Sequence, residues 1–313
     1  MALLNDKIEQ ANIHKFSHTA MATVYEIMIE YDDKLYAEQV AKAAFDELDR
    51  LENELSRFLP NSEISRINNL NVGQELLLTE DTFECLTQSQ RLFELTKGAF
   101  DIAIGSYKEN WGKQNSFSEN LIEEGTYSDI PKFVLNELER TITVLGNNLS
   151  IDLGGFGKGY ALDKVCDQLL DWEISNAFIH GGGSSVKSIG SLTNISGWPI
   201  TLSNPNNSNQ SIADMIIKDF SLSASGIKKG EHIFDPIHRT PISARKAAWA
   251  TASSAMVSDA LSTAFMIMDK NSILELCRTD IDIGAMIIED GKQELTLNDL
   301  TISEHFKIEK LLI

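Results

Sequence analysis

Cysteine is nearly absent from this chain. Three stand in 313 residues (Cys85, Cys166 and Cys277), odd in number and widely spaced. That excludes a disulfide framework and a cysteine-built metal motif, and it fits a reduced or cysteine-indifferent compartment. Positive charge is also scarce: Lys and Arg total 27 against 46 Asp and Glu, a formal charge of −19. Such a balance opposes nonspecific binding to nucleic acid and to anionic membranes. A phosphate-bearing ligand would need a local source of positive potential, such as a metal, a lysine or a helix N-terminus. No apolar run reaches the length of a membrane span. The first ten residues, Met-Ala-Leu-Leu-Asn-Asp-Lys-Ile-Glu-Gln, hold no signal-peptide core, and no lipobox cysteine follows them. The expectation is a cytoplasmic protein as the chain stands, or a periplasmic one if its start has been trimmed. Short repeats and low-complexity tracts are absent.

What is present is ordinary for a soluble globular protein: 42% hydrophobic and 23% charged residues. Residues 22–30 are β-branched and alternate, which predicts a strand. Val40, Ala44, Leu48, Leu51 and Leu55 fall at helical spacing in an amphipathic helix over 35–55. A second helix is expected over 79–95, with Thr79 as its N-cap. Residues 105–130 read as a polar surface excursion and 132–145 as a hairpin. A helix follows at about 158–171, then short strands separated by glycines over 175–203 and a polar loop at 204–211. Strands are expected near 214–224, 231–234 and 247–252, a helix at about 255–268 and a closing hairpin at 282–296. Without a regular βαβ rhythm, this mixture predicts an α+β fold with mixed or antiparallel sheets and packed helices. Residues 1–313 read as one domain, built at most from two intimate subdomains.

Six segments have the residue types for chemistry. Asp152-Leu-Gly-Gly-Phe-Gly-Lys-Gly-Tyr-Ala161 leaves a strand and enters a helix. Its glycines are either a tight corner or a cradle in which backbone approaches a phosphate. It is neither a Walker loop nor a dinucleotide fingerprint, because the glycines fall at 154, 155, 157 and 159. In Ser258-Asp-Ala-Leu-Ser-Thr263, Asp259 and Thr263 share one helix face. They are a first-turn acid and a core hydroxyl, or two ligands of a hard cation such as Mg²⁺. His232, in Gly230-Glu-His-Ile-Phe-Asp-Pro236, is a base near a site or a satisfied structural imidazole. Thr96-Lys-Gly-Ala-Phe-Asp101 ends a helix at Gly98 and presents an aromatic and an acid. Phe58 precedes the capping pattern Ser62-x-x-Ser65 and is a core ring or a stacking platform. Met21-Ala-Thr-Val-Tyr25 starts the first strand.

In this order the six segments resemble the ApbE family. Its pattern runs from Met-Gly-Thr-x-Tyr through Ser-x-Tyr/Phe…Ser-Glu-Ile-Ser-x-x-Asn and Thr-x-Gly-Ala-Phe-Asp. Asp-Leu-Gly-Gly/Ala-x-Ala-Lys-Gly-Tyr-Ala-x-Asp follows, then a Gly-Gly turn, His-x-x-Asp-Pro and Asp-Ala-Leu-x-Thr. The likeness covers roughly residues 21–290. The chain departs from the pattern at Ala22, at Gly181-Gly-Gly-Ser-Ser185, where an acid usually follows the glycines, at Ser223-Ala-Ser-Gly226 and at Ile237-His-Arg-Thr-Pro241.

The resemblance implies an ApbE-like (T-fold-like) architecture and an FAD:protein FMN transferase. Such an enzyme uses Mg²⁺, or Mn²⁺ in its place, to cleave FAD and pass FMN to a Ser or Thr hydroxyl of an acceptor flavoprotein, releasing AMP. The acceptor carries a short flavinylation motif. By matching position, Gly155 would offer a backbone carbonyl to the metal, with Asp259 and Thr263 as side-chain ligands. Met21, Phe58, Ala99, Phe100, Asp101, Asp152, Lys158 and Ile233 would line the FAD site, and His232 would be the base. With water as acceptor the same site would be an FAD pyrophosphatase, and without turnover a flavin-binding protein. No nucleic-acid partner and no membrane span are expected.

Overall fold

The computed structural model describes residues 12–106, 132–205, 207–226, 233–242, 245–289, 295 and 300–312. The chain opens with a hairpin of β1 (Ile13–Ala20) and β2 (Thr23–Glu30). Met21 and Ala22 form its turn with φ of 50° and 57°, so the strand expected from residue 22 starts one residue later. Helix α1 (Lys34–Leu55) begins at Asp33, whose carboxylate accepts from the Leu35 and Tyr36 amides. The expected apolar stripe is its buried face, with Ala37 and Ala41 added. A short helix α2 (Glu63–Asn68) is capped by Ser62, which accepts from the Ser65 amide at 3.0 Å. After β3 (Glu75–Leu77), helix α3 (Glu80–Leu95) has Thr79 as its N-cap. The excursion expected at 105–130 lies outside the described residues from 107 onward. The hairpin of β4 (Phe133–Asn136) and β5 (Thr141–Val144) joins β3 in a small sheet.

A single 3-10 turn at Leu153–Gly155 leads into helix α4 (Gly157–Asp171). Then come β6 (Ala177–Gly181), β7 (Ser185–Ile189), β8 (Trp198–Asn204), β9 (Asn207–Ile217) and β10 (Ser221–Gly226). The polar loop expected at 204–211 is instead the end of β8 and the start of β9, where Asn207 pairs with Asn204 and Ser211 with Ser203 across a register shift. Asn207, Asn209 and Gln210 are exposed, so backbone pairing on either side of the shift holds the segment and no apolar alternation announces it. β11 (Phe234–Asp235) and β12 (Thr240–Pro241) form a two-stranded ribbon, and β13 (Arg245–Ala252) precedes helix α5 (Ala255–Ala264). Helix α6 (Lys270–Thr279), β14 (Gly284–Glu289), β15 (Leu300–Ile302) and β16 (Lys310–Leu311) complete the described chain. The strand returning from β14 comes at 300–302, later than the closing hairpin expected by residue 296. β1 and α6 have few buried apolar positions and were not foreseen.

Eight antiparallel strands form the central sheet in the order β1-β2-β6-β7-β10-β13-β14-β15. The pleat sends alternate side chains to two cores. Tyr25, Ile27, Ile29, Ile179, Ala248, Ala250 and Ile287 face α1, α4 and α5. Phe178, Trp249, Met286 and Ile288 face the β16-β9-β8 sheet. The fold is α+β with antiparallel sheets, as the mixed pattern predicts. Among the described residues no helix is long and apolar enough to cross a membrane.

Candidate active site

A cavity of about 590 Å³ lies between these layers. One side comes from the turns around α4 and α5: Asp101, Asp152, Gly155, Lys158, Asp259 and Thr263. The other comes from strand residues such as Val186, Ile200, Leu202, Leu222 and Trp249.

The first side is organised by the crossing of α4 and α5. A Cβ on Gly159 would stand 2.1 Å from the Ala255 carbonyl oxygen, so only glycine allows the helices to approach this closely. Asp259, 4% exposed, accepts three hydrogen bonds on its carboxylate. Its Oδ2 accepts from Lys158 Nζ at 3.2 Å and from the Gly159 amide at 3.1 Å, and its Oδ1 from Ser185 Oγ at 3.1 Å. As the third amide of α4, the Gly159 N–H has no acceptor within the helix, and Asp259 supplies one. Gly155 lies before the N-cap of α4, so its carbonyl stands outside that helix's ladder. Thr263 Oγ1 is 3.3 Å from Ser225 Oγ, which also meets Ser262 Oγ at 2.9 Å.

The Thr96–Asp101 turn comes off α3 through left-handed Lys97 and Gly98 (φ 53° and 84°), with the Thr96 hydroxyl accepting from the Phe100 amide at 3.0 Å. This sets Phe100 edge-on to Phe156 and places its ring against Gly155. Burial pushes the Asp101 carboxyl above its usual range, against the Ala103 amide it accepts from at 2.7 Å and the charge of Lys132. Burial in turn pushes the Lys132 ammonium down, with Asp101 opposing and Arg239 reinforcing. The Tyr25 hydroxyl is also pushed up, first by burial, then by Asp259 and Glu52.

Of the residues singled out in the sequence, Ala99, Phe100, Asp101, Asp152, Gly155, Lys158, Ile233, Asp259 and Thr263 line this cavity together. Met21 and Phe58 stand outside its lining. Met21 Sδ accepts from the Tyr25 hydroxyl at 3.4 Å in the β1–β2 turn. Phe58 is 82% exposed, with the Arg57 guanidinium 5.4 Å over its ring. His232 lies outside the described residues. Two residues were not anticipated. Arg57 Nη1 is 3.4 Å from Asp152 Oδ2, both nearly buried, while Asp152 Oδ1 accepts from the Gly154 amide at 2.9 Å. Ser185 binds Asp259. The signal for Ser185 was the departure itself, a hydroxyl following the glycines where an acid is usual; Arg57 had only its position beside Phe58.

Among the described residues no three His, Cys, Asp or Glu side chains gather as a metal set. The donors that meet at the α4–α5 crossing are the Asp259 carboxylate, the Thr263 hydroxyl and the Gly155 carbonyl. Oxygen-only donors suit a hard divalent cation, with open positions left for phosphate and water. The backbone of Gly155 sits beside Thr263: a Cβ there would be 3.9 Å from Thr263 Oγ1. This oxygen donor set fits such an ion.

Comparison with known proteins places these features in a wider group. The sequence profile of the ApbE family matches residues 21–287. The FAD:protein FMN transferase of Haemophilus influenzae is 23% identical over 294 residues, covering 86% of this chain and 84% of the relative. That of Vibrio cholerae is 23% identical over 299 residues, covering 89% of each. Among solved structures, the flavin transferase ApbE from Vibrio cholerae superposes with a TM-score of 0.80 at 21% identity, over 95% of this chain and 98% of that one. The ApbE protein of Thermotoga maritima does so at 0.81 and 24% identity, over 94% and 98%.

Proposed function

This chain belongs to the ApbE family, and from that premise we propose that it moves FMN from FAD to a Ser or Thr hydroxyl of an acceptor protein. The acceptor oxygen bonds to the FMN phosphorus, the bond to the AMP phosphate breaks, AMP leaves, and the hydroxyl proton is taken up by a base. The observation that carries this reading is the convergence of the glycine-rich entry to α4 with Asp259 and Thr263 of α5 in one cavity.

The roles follow from chemistry. Asp259, Thr263 and the Gly155 carbonyl would hold Mg²⁺, which would neutralise pyrophosphate charge when bound. Lys158 adds the positive potential that a chain of charge −19 otherwise has little of. Phosphoryl-type transfer needs positioning and charge neutralisation more than covalent help. Asp152, held by Arg57, and the Phe100–Asp101 turn orient the flavin nucleotide. His232 is the base.

The test is incubation of the purified protein with FAD, Mg²⁺ and an acceptor protein bearing a Ser/Thr flavinylation motif. The expected products are AMP and an acceptor that stays fluorescent on a denaturing gel. Free FMN formed without acceptor would instead make the protein a pyrophosphatase, and FAD recovered unchanged would make it a binding protein.

A further inference from the structure

Each of the two helices at the site caps the other. The N-cap position of α4, Phe156, makes no side-chain bond to the helix, and the third amide of α4, at Gly159, is satisfied from α5 by Asp259. Four residues along α4, Asp163 returns the arrangement. Its Oδ1 accepts from the Ala255 amide at 2.8 Å and its Oδ2 from the Met256 amide at 2.9 Å, the first two amides of α5. Its Oδ2 also accepts from Ser254 Oγ at 2.7 Å, and Ser254 Oγ accepts from the third amide, Val257, at 3.3 Å. The Lys187 ammonium, from β7, pairs with the same carboxylate. One face of α4 thus carries Gly159, which lets the helices touch, and Asp163, which holds the first turn of α5 against it.

We infer that Asp163 is a positioning residue, which fixes Asp259 and Thr263 of α5 relative to Gly155 and Lys158 of the α4 entry without touching any ligand. This rests on the proposed metal role of Asp259. The two halves of the clamp differ in kind. Asp259 is shared between α4 and the ion it is proposed to hold, so any pull on it weakens its hold on the Gly159 amide. Asp163 does not line the cavity and has no such second task. Burial alone would push the Lys187 ammonium down; Asp163, with smaller help from Cys166 and Asp167, turns the shift upward. The Lys187–Asp163 pair makes the clamp a charge-assisted one.

The test titrates Mg²⁺ into protein and FAD and follows flavin fluorescence quenching, so that no turnover is needed. Asp163→Asn keeps the volume and one acceptor oxygen. It is expected to raise the half-saturating Mg²⁺ by about 10–100-fold, the usual cost of losing support behind a metal ligand. Metal-free FAD binding should stay near wild type, and the Ala255 and Met256 amides should exchange hydrogen faster. A folded Asp163→Asn protein with the wild-type Mg²⁺ midpoint overturns the inference. If that variant does not fold, Ser254→Ala, which removes one of Asp163's partners, should move the midpoint in the same direction by less, and an unmoved midpoint there overturns it equally. Asp259→Asn separates the two claims. If it loses the Mg²⁺ response while Asp163→Asn keeps it, the clamp fails and the metal site stands. If Asp259→Asn responds to Mg²⁺ like wild type, the metal site fails and the inference with it.

Discussion

The two sides of the cavity are built by opposite means, and strand β10 belongs to both. Its Ser221, Ser223 and Ser225 face α5, where Ser221 and Ser223 meet the Ser258 hydroxyl and Ser225 meets those of Ser262 and Thr263. Its Leu222 and Ala224 face the other way, into the side shared with Ile200, Leu202 and Trp249. The α4–α5 side is a lattice of directional bonds in which Asp259 and Asp163 have donors on both oxygens. The β8 side has apolar area and shape. Directional bonds fix orientation and handle charge, and a mispaired member there is costly. Apolar packing tolerates volume-conserving change. The difference predicts that substitutions on the first side should cost chemistry, and on the second mostly affinity and stability.

The hardest test of that contrast is Asp259→Asn. FMN transfer should fall by about 1,000-fold at saturating FAD, with a melting curve recorded alongside to separate a lost ligand from a lost fold. Near-wild-type transfer would remove Asp259 from the mechanism. Next is Gly159→Ala, where the added methyl meets backbone 2.1 Å away. It should destabilise by about 3 kcal/mol in denaturant titration. Gly157→Ala, whose nearest neighbour would be the Leu153 Cβ at 3.7 Å, should be neutral or stabilising; equal losses at both glycines would contradict the close-approach argument. On the apolar side, Trp249→Leu should cost about 2 kcal/mol and raise KM for FAD with little change in kcat. A kcat loss matching that of Asp259→Asn would erase the distinction between the two sides.

Smaller effects lie at the margins. Ala22 holds φ 57° in the β1–β2 turn, so Ala22→Gly should stabilise by about 1 kcal/mol without altering transfer. Asp101 has a pKa raised by burial, so its protonated form is the one folding favours. Its contribution is present below the ordinary carboxyl range and is lost as pH rises through the folded value. The stability of Asp101→Asn relative to wild type should therefore improve as pH rises across that range. A flat difference in a pH series of melting curves would mean the carboxyl is not perturbed.

The helix stripe of α1 was legible because its apolar residues repeat at 3.6, and the caps at Thr79 and Ser62 because capping is local in sequence. The polar start of β9 was not, since a segment with exposed polar side chains is held by backbone pairing with a partner that its own residues do not name. Arg57 is silent in the sequence for the same reason, because its carboxylate partner belongs to a distant segment.

The sequence by itself determined the chemical types at the site. It held glycines where backbone must come close, a lysine beside them, and an acid and a hydroxyl one helical turn apart. Only the tertiary structure decided which of these meet. Ser185 reaches Asp259 across 74 residues and Asp163 reaches Ala255 across 92, and no local rule encodes either pairing. The reason is physical. Periodicity and capping act over a few residues, whereas these contacts depend on how closely α4 approaches α5 at Gly159 and on which face the pleat gives each strand residue.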